Sequence, residues 1–244
     1  MEFMPTEIAT YQELAARWKS LRALRDLRVR EVACVGAPRT LLCVESGEPG
    51  QPVVTISAGV HGDERSGPIV LLHLAEAGLL DSRFAYRLWP CTNPTGFDRA
   101  TRESIDEIDI NRTFGRGGQS PEAKAIVVAN RDFKFALAID LHEDCDEDRF
   151  YFYAYGRKEN GAALAEQLGC ECVRPDPVAE AEALGGLSYS LLLQRNAARQ
   201  VYTFEAPGLR PFGERVELHL QAVQAAIAGL ENEGRTANSQ ATYK

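Results

Sequence analysis

The feature that most constrains this chain is a series of short apolar, β-branched runs along its length: 29–35, 41–45, 53–58, 86–90, 135–141, 150–155 and 200–204. Their length and richness in Val, Ile, Leu, Phe and Tyr suit strands buried on both faces. Between them lie longer stretches whose apolar residues recur three and four apart, the spacing of a helix with one buried stripe. These are 67–78, 121–131 with Ser120 as cap and Pro121 at the first position, 161–168, 187–195 and 213–230. Strands alternating with helices predict an α/β fold of three layers, α/β/α, with a central mixed, largely parallel sheet. Active sites in such sheets gather outside the carboxyl ends of the strands.

With 244 residues, 45% of them hydrophobic, the chain can bury one large core. We expect a single catalytic domain over 1–232 and a disordered tail over 233–244. A formal net charge of -8 argues against nucleic acid as a partner, because neutralising phosphates needs clustered Lys and Arg. No stretch approaches the roughly 20 apolar residues that span a bilayer. The first thirty residues read as an amphipathic helix rather than a signal peptide. Six cysteines without a CxxC pair fit reduced thiols in a cytoplasmic protein. Two stretches match neither period, 91–119 and 171–186, and a long loop inside a compact domain is often functional.

Three of the apolar runs lead into residues that can bind a metal or move a proton. VVTISAGVHGDE places His61 and Glu64 just past a buried strand, where the Gly62 turn lets the carboxylate curl back towards the imidazole. FALAIDLHED ends another strand at His142, with Asp140 two positions earlier and so on the same side. Two histidines and a glutamate form one of the common catalytic zinc sets, which leaves a fourth position open. QVYTFEAPG closes a third strand on Glu205, and a carboxylate there must be solvated, paired or functional. Beside a metal it would serve as general base. Between these runs, NPTGFDRATRESIDEIDINRTFG supplies Arg102, Asn111 and Arg112, groups able to polarise a carbonyl and grip a carboxylate. His73 and His219 fall within helical patterns and read as ordinary helix residues. The acids from Glu143 to Asp148 read as a solvated turn.

In the order HGDE, NPTG with a following Arg, DINR, DLH and a strand-terminal Glu, these motifs resemble the zinc metallocarboxypeptidases and their relatives, the aspartoacylase and succinylglutamate desuccinylase group. The matching stretch runs from about Val53 to Gly208. The resemblance implies one Zn2+ per chain held by His61, Glu64 and His142. It implies Glu205 as the base that activates the attacking water, Arg102 as the group that polarises the carbonyl, and Asn111 with Arg112 as the holders of a free carboxylate. Asp109 matches the acid that orients the first histidine. The substrate implied is a small peptide or an N-acyl amino acid, cut at an amide bond beside a carboxylate.

The stretch between Glu64 and His142 is short for a digestive-type carboxypeptidase, which favours a compact bacterial-type member. No tyrosine is clearly assigned to cover the substrate; Tyr189 is one candidate and Tyr202 a second. Deacylation of an N-acyl amino acid is the alternative to trimming a peptide. A non-catalytic zinc-binding protein is a third reading, and the presence of every residue the chemistry requires stands against it.

Overall fold

All seven apolar runs are strands in the computed structural model, which describes residues 8–22, 24–115, 118–156, 158–183, 185–195 and 198–241. They are β1 (Arg28–Val32), β2 (Leu41–Ser46), β3 (Val53–Ala58), β4 (Ala85–Trp89), β5 (Leu137–Asp144), β6 (Tyr151–Gly156) and, after the short β7 (Glu171–Val173), β8 (Gln200–Pro207). The sheet order is β1-β2-β4-β3-β5-β8-β6-β7. Its centre, β4-β3-β5-β8, is parallel; β1 and β2 pair antiparallel with their neighbours, and β6 runs antiparallel to β8 and parallel to β7. The expected three-layer α/β/α architecture with a mixed, largely parallel sheet is the one observed.

The period of two along each strand divides the core. Leu137, Ile139 and Leu141 of β5 face one side together with Val54, Ile56, Tyr202 and Phe204. Against them pack α1 (Tyr11–Leu21), α2 (Ser66–Glu76), α5 (Lys158–Leu168) and α8 (Phe212–Ala241). Trp18, Leu14, Leu71 and Val223 fill that layer. Each large apolar side chain buried there contributes roughly 1.5–3 kcal/mol. On the other face Ala138, Val201, Trp89 and Cys43 meet α4 (Pro121–Asn130) and α7 (Tyr189–Arg195). That second layer covers less of the sheet, and polar residues at Ser57, Asp140, His142, Thr203 and Glu205 take the positions it leaves open.

Several boundaries differ from the sequence reading. Both β5 and β8 run beyond their apolar stretches, because their ladder continues through His142↔Glu205 to Asp144↔Pro207. Within 91–119 lies a short helix, α3 (Pro94–Arg99), started by Asn93, whose side chain accepts from the Gly96 amide at 2.9 Å. Within 171–186 lie β7 and α6 (Pro177–Ala183). Helix geometry in α8 continues past Glu233 to Ala241, and residues 242–244 of the expected tail lie outside the described ones.

Candidate metal centre and active-site cleft

Chain order makes the site. From β3 the chain moves to β4 on one side and then crosses to β5 on the other, so the crevice at the carboxyl ends of β3 and β5 is a topological switch point. His61 and Glu64 occupy the β3–α2 connection, and His142 sits inside β5. The His61 Nδ1 lies 2.5 Å from Glu64 Oε1, and the His142 Nδ1 lies 3.0 Å from Glu64 Oε2. The imidazole rings are 4.9 Å apart, and one ligand atom from each of the three residues falls within 4.8 Å of the others. All three side chains are buried.

The outer nitrogens face carboxylates. His142 Nε2 is 3.1 Å from Asp140 Oδ2, and His61 Nε2 is 3.4 Å from Asp109 Oδ1. Asp140 is fixed in turn by the Ser57 hydroxyl at 2.6 Å. Asp109 accepts from the guanidinium of Arg102 at 3.1 Å and from the Asn111 amide at 3.0 Å. The His61 Nε2 and Glu64 Oε2 atoms are buried yet complete no hydrogen bond. Two inward Nδ1 atoms, a carboxylate between them and acids behind them fit a divalent cation and have no apolar explanation.

Burial alone would depress both imidazoles, but Glu64 with Asp109 holds His61 above its ordinary range, and Glu64 with Asp140 holds His142 well above it. Burial likewise opposes ionisation of Glu64, yet His142 and His61 bring its carboxyl down to about 2. Burial, with the Glu64 and Asp144 charges adding to it and His142 opposing, pushes Glu205 up to about 8.

Glu205 neighbours His142 across the β5–β8 ladder and lines a cleft of about 330 Å³ with His61, Glu64, Arg102, Asn111 and Arg112. The structure therefore gathers every candidate site residue around one opening, with Asp109 directly behind. Asn111 is held from below by a buried chain of contacts. Its Oδ1 accepts from the Tyr189 amide at 3.1 Å, the Tyr189 hydroxyl accepts from Asn130 at 2.8 Å, and Asn130 accepts from Arg87 at 2.7 Å.

That chain removes Tyr189 from the cleft, since its ring is buried and its hydroxyl is engaged. Tyr202 faces the opposite layer, where it stacks on Phe204. The tyrosines that do line the cleft are Tyr151, Tyr153 and Tyr155, three alternate positions of β6. The strand's period of two could have signalled them. Glu143 also departs from expectation: it is buried, it accepts from the Ser66 amide at 2.6 Å to cap α2, and it pairs with Arg215. His219 is fully buried within α8, and its Nε2 donates to the His142 carbonyl at 2.9 Å.

This fold with this cluster defines an α/β protein of the carboxypeptidase-like class. The chain belongs to the succinylglutamate desuccinylase/aspartoacylase catalytic domain family, whose model matches residues 50–214. Succinylglutamate desuccinylase of Pseudomonas aeruginosa is 27% identical over 194 residues, covering 70% of this chain and 55% of that protein. Carboxypeptidase SOL1 of Arabidopsis thaliana is 27% identical over 154 residues, covering 49% of this chain and 31% of the relative. The chain thus spans between just under a third and just over half of the length of these curated relatives. Among solved structures, a protein of Shewanella amazonensis described as a candidate metallopeptidase superimposes with a TM-score of 0.73 at 22% identity, over 91% of this chain and 92% of the other. Carboxypeptidase A of Helicoverpa armigera gives 0.72 at 15% identity, over 92% and 74%. Among the described residues no helix is long and apolar enough to cross a membrane.

Proposed function

We propose that this chain is a zinc-dependent amide hydrolase of the carboxypeptidase type, cutting an amide bond next to a free carboxylate. The observation that carries the reading is the convergence of His61 Nδ1, His142 Nδ1 and the Glu64 carboxylate, with Asp109 and Asp140 behind the two rings. One Zn2+ held by these three residues supplies a Lewis acid and an acidified water.

The protein's own groups do the rest. Glu205 takes a proton from the attacking water at its carboxylate and returns it to the departing nitrogen. Arg102, steadied by Asp109, offers its guanidinium to the carbonyl oxygen as negative charge grows there. Arg112 and the amide NH2 of Asn111, whose Oδ1 is already occupied, hold the substrate's carboxylate.

A second reading, removal of an acyl group from an N-acyl amino acid, is favoured by the family match over residues 50–214 and by the desuccinylase relative. Both reactions use the same groups. Zinc-loaded protein assayed on peptides with free C-termini beside N-acetyl and N-succinyl amino acids separates them: the carboxypeptidase reading expects faster release from peptides. Turnover confined to the N-acyl compounds assigns deacylation, and no turnover on either set refutes both.

A further inference from the structure

Asn111 turns its NH2 to the cleft because its other end is taken. The main-chain N–H of Tyr189 donates to Asn111 Oδ1 at 3.1 Å, and since a main-chain N–H can only donate, the amide cannot turn over without losing that bond. The place of this N–H is set from outside the cleft. The Tyr189 ring lies against Phe114 with centroids 4.9 Å apart, and its hydroxyl accepts from Asn130 Nδ2 at 2.8 Å. Asn130 is oriented by the same logic. Arg87 has donors and no acceptor, so its Nε–H meets Asn130 Oδ1 at 2.7 Å and leaves the NH2 of Asn130 to face Tyr189. Arg87 is fixed in turn by Glu45 and by the Ala129 carbonyl at 2.8 Å. Asn111, Tyr189, Asn130 and Arg87 are all buried.

Asn130 is the last residue of α4, and the residue that caps the other end of α4 reaches the same stretch of chain. Thr113 closes the turn Ile110–Arg112 by donating to the Ile110 carbonyl at 2.7 Å. Its single proton is thereby used, so Ser120 is the donor in the 2.9 Å bond between the two hydroxyls. We propose that α4 braces the carboxylate-holding pair from both ends and that Asn130, a buried residue apart from the cleft lining, is a positioning residue that fixes through Tyr189 where Asn111 presents its NH2. The inference rests on the reading of Asn111 and Arg112 as holders of the substrate's carboxylate and deepens it. Truncating Asn130 strands the Tyr189 hydroxyl and the Arg87 Nε–H and lets the ring shift, and the N–H that orients Asn111 moves with it. The carboxylate is held equally in the bound and the reacting state, so the loss falls on KM rather than on kcat.

The test sets wild type beside Asn130→Ala and Tyr189→Phe, each as the zinc-loaded full chain. The substrates are a dipeptide and an N-acetyl amino acid, each with a free carboxylate and as the carboxamide. Both variants should raise KM for the free carboxylates about tenfold, change kcat less than about twofold, and leave the carboxamides at their wild-type KM. Calorimetric binding of L-alanine, L-lysine and L-glutamate beside their carboxamides reads the same preference without turnover. Asn130→Asp still accepts from Arg87 and can accept from the Tyr189 hydroxyl, so it should bring KM back to within about threefold of wild type. An Asn130 that serves only packing would weaken carboxylates and carboxamides alike when truncated, and that result overturns the brace. Wild type that treats carboxylates and carboxamides alike removes the pair that α4 would brace, and the proposal with it. Variants that turn over substrate with the full carboxylate preference defeat the brace and spare the hydrolase. A binding preference lost in both variants, with no turnover by any of the proteins, does the reverse.

Discussion

His142 and Glu205 are register partners in the ladder between β5 and β8, so the candidate ligand and the candidate base stand side by side on one face of a parallel sheet. Neither depends on a loop for its position. Each backbone is held by neighbouring strands, and the two side chains have separate duties. Replacing Glu205 with Gln keeps its size and removes its basicity. Turnover should fall about a hundredfold or more while zinc content stays at the wild-type level. Rate assays beside metal analysis on the same preparation check this, and near-normal turnover at full metal would withdraw the base assignment.

Asp140 does for His142 what Asp109 does for His61. Fixed by Ser57, it holds the outer nitrogen and so keeps Nδ1 turned towards Glu64. Asp140→Asn should weaken zinc affinity about 10- to 100-fold, as loss of such a partner does elsewhere. Competition with a chromophoric chelator reads the affinity directly.

Gly62 owes its identity to crowding rather than to its backbone angles. A Cβ there would lie 1.9 Å from the Gly96 carbonyl carbon and 2.3 Å from the Phe97 nitrogen. The turn carrying His61 and Glu64 is pressed against the start of α3, which makes the HGDE and NPTG motifs one unit. Gly62→Ala should cost at least about 3 kcal/mol, at the upper end of overpacking penalties, and should lower zinc binding as well. Chemical denaturation of the metal-free protein measures the first effect.

The same contact explains what could be read from the sequence and what could not. Apolar runs mark β3, β5 and β8 because a central strand is covered on both faces, and the four candidate residues His61, Glu64, His142 and Glu205 lie at or just beyond their ends. The helix at Pro94 stayed hidden because a single turn and a half opened by Asn-Pro-Thr-Gly carries turn signals and too few residues for a helical period. The period of two puts Tyr151, Tyr153 and Tyr155 on one side of β6, and the register of β6 against β8 turns that side towards the cleft. Tyr189 lay in the right stretch of chain, but the buried contacts running from Asn111 to Arg87 use it as a support.

His219 backs β5 from the opposite layer, and its burial holds its pKa down at about 3. The unfolded chain binds a proton below about pH 6.5, whereas the folded chain resists doing so until about pH 3. The stability contributed by the neutral imidazole is therefore complete above pH 6.5 and is lost as the pH falls through that window. Between pH 7 and pH 5 the loss is about 2 kcal/mol. His219→Gln retains a donor for the His142 carbonyl without titrating, so its stability should decline less over the same interval. Urea denaturation of both proteins at the two pH values, in the same metal state, gives the difference. Equal declines would contradict the account of a buried neutral histidine.

The central claim is that His61, Glu64 and His142 together hold one zinc ion. Elemental analysis of purified wild type beside a His61→Ala, His142→Ala double variant tests it most directly. The account predicts about one zinc per wild-type chain and none in the variant, with the variant still folded by circular dichroism. Wild-type protein that retains no metal after incubation with zinc, or a folded variant that binds as much as wild type, would contradict it.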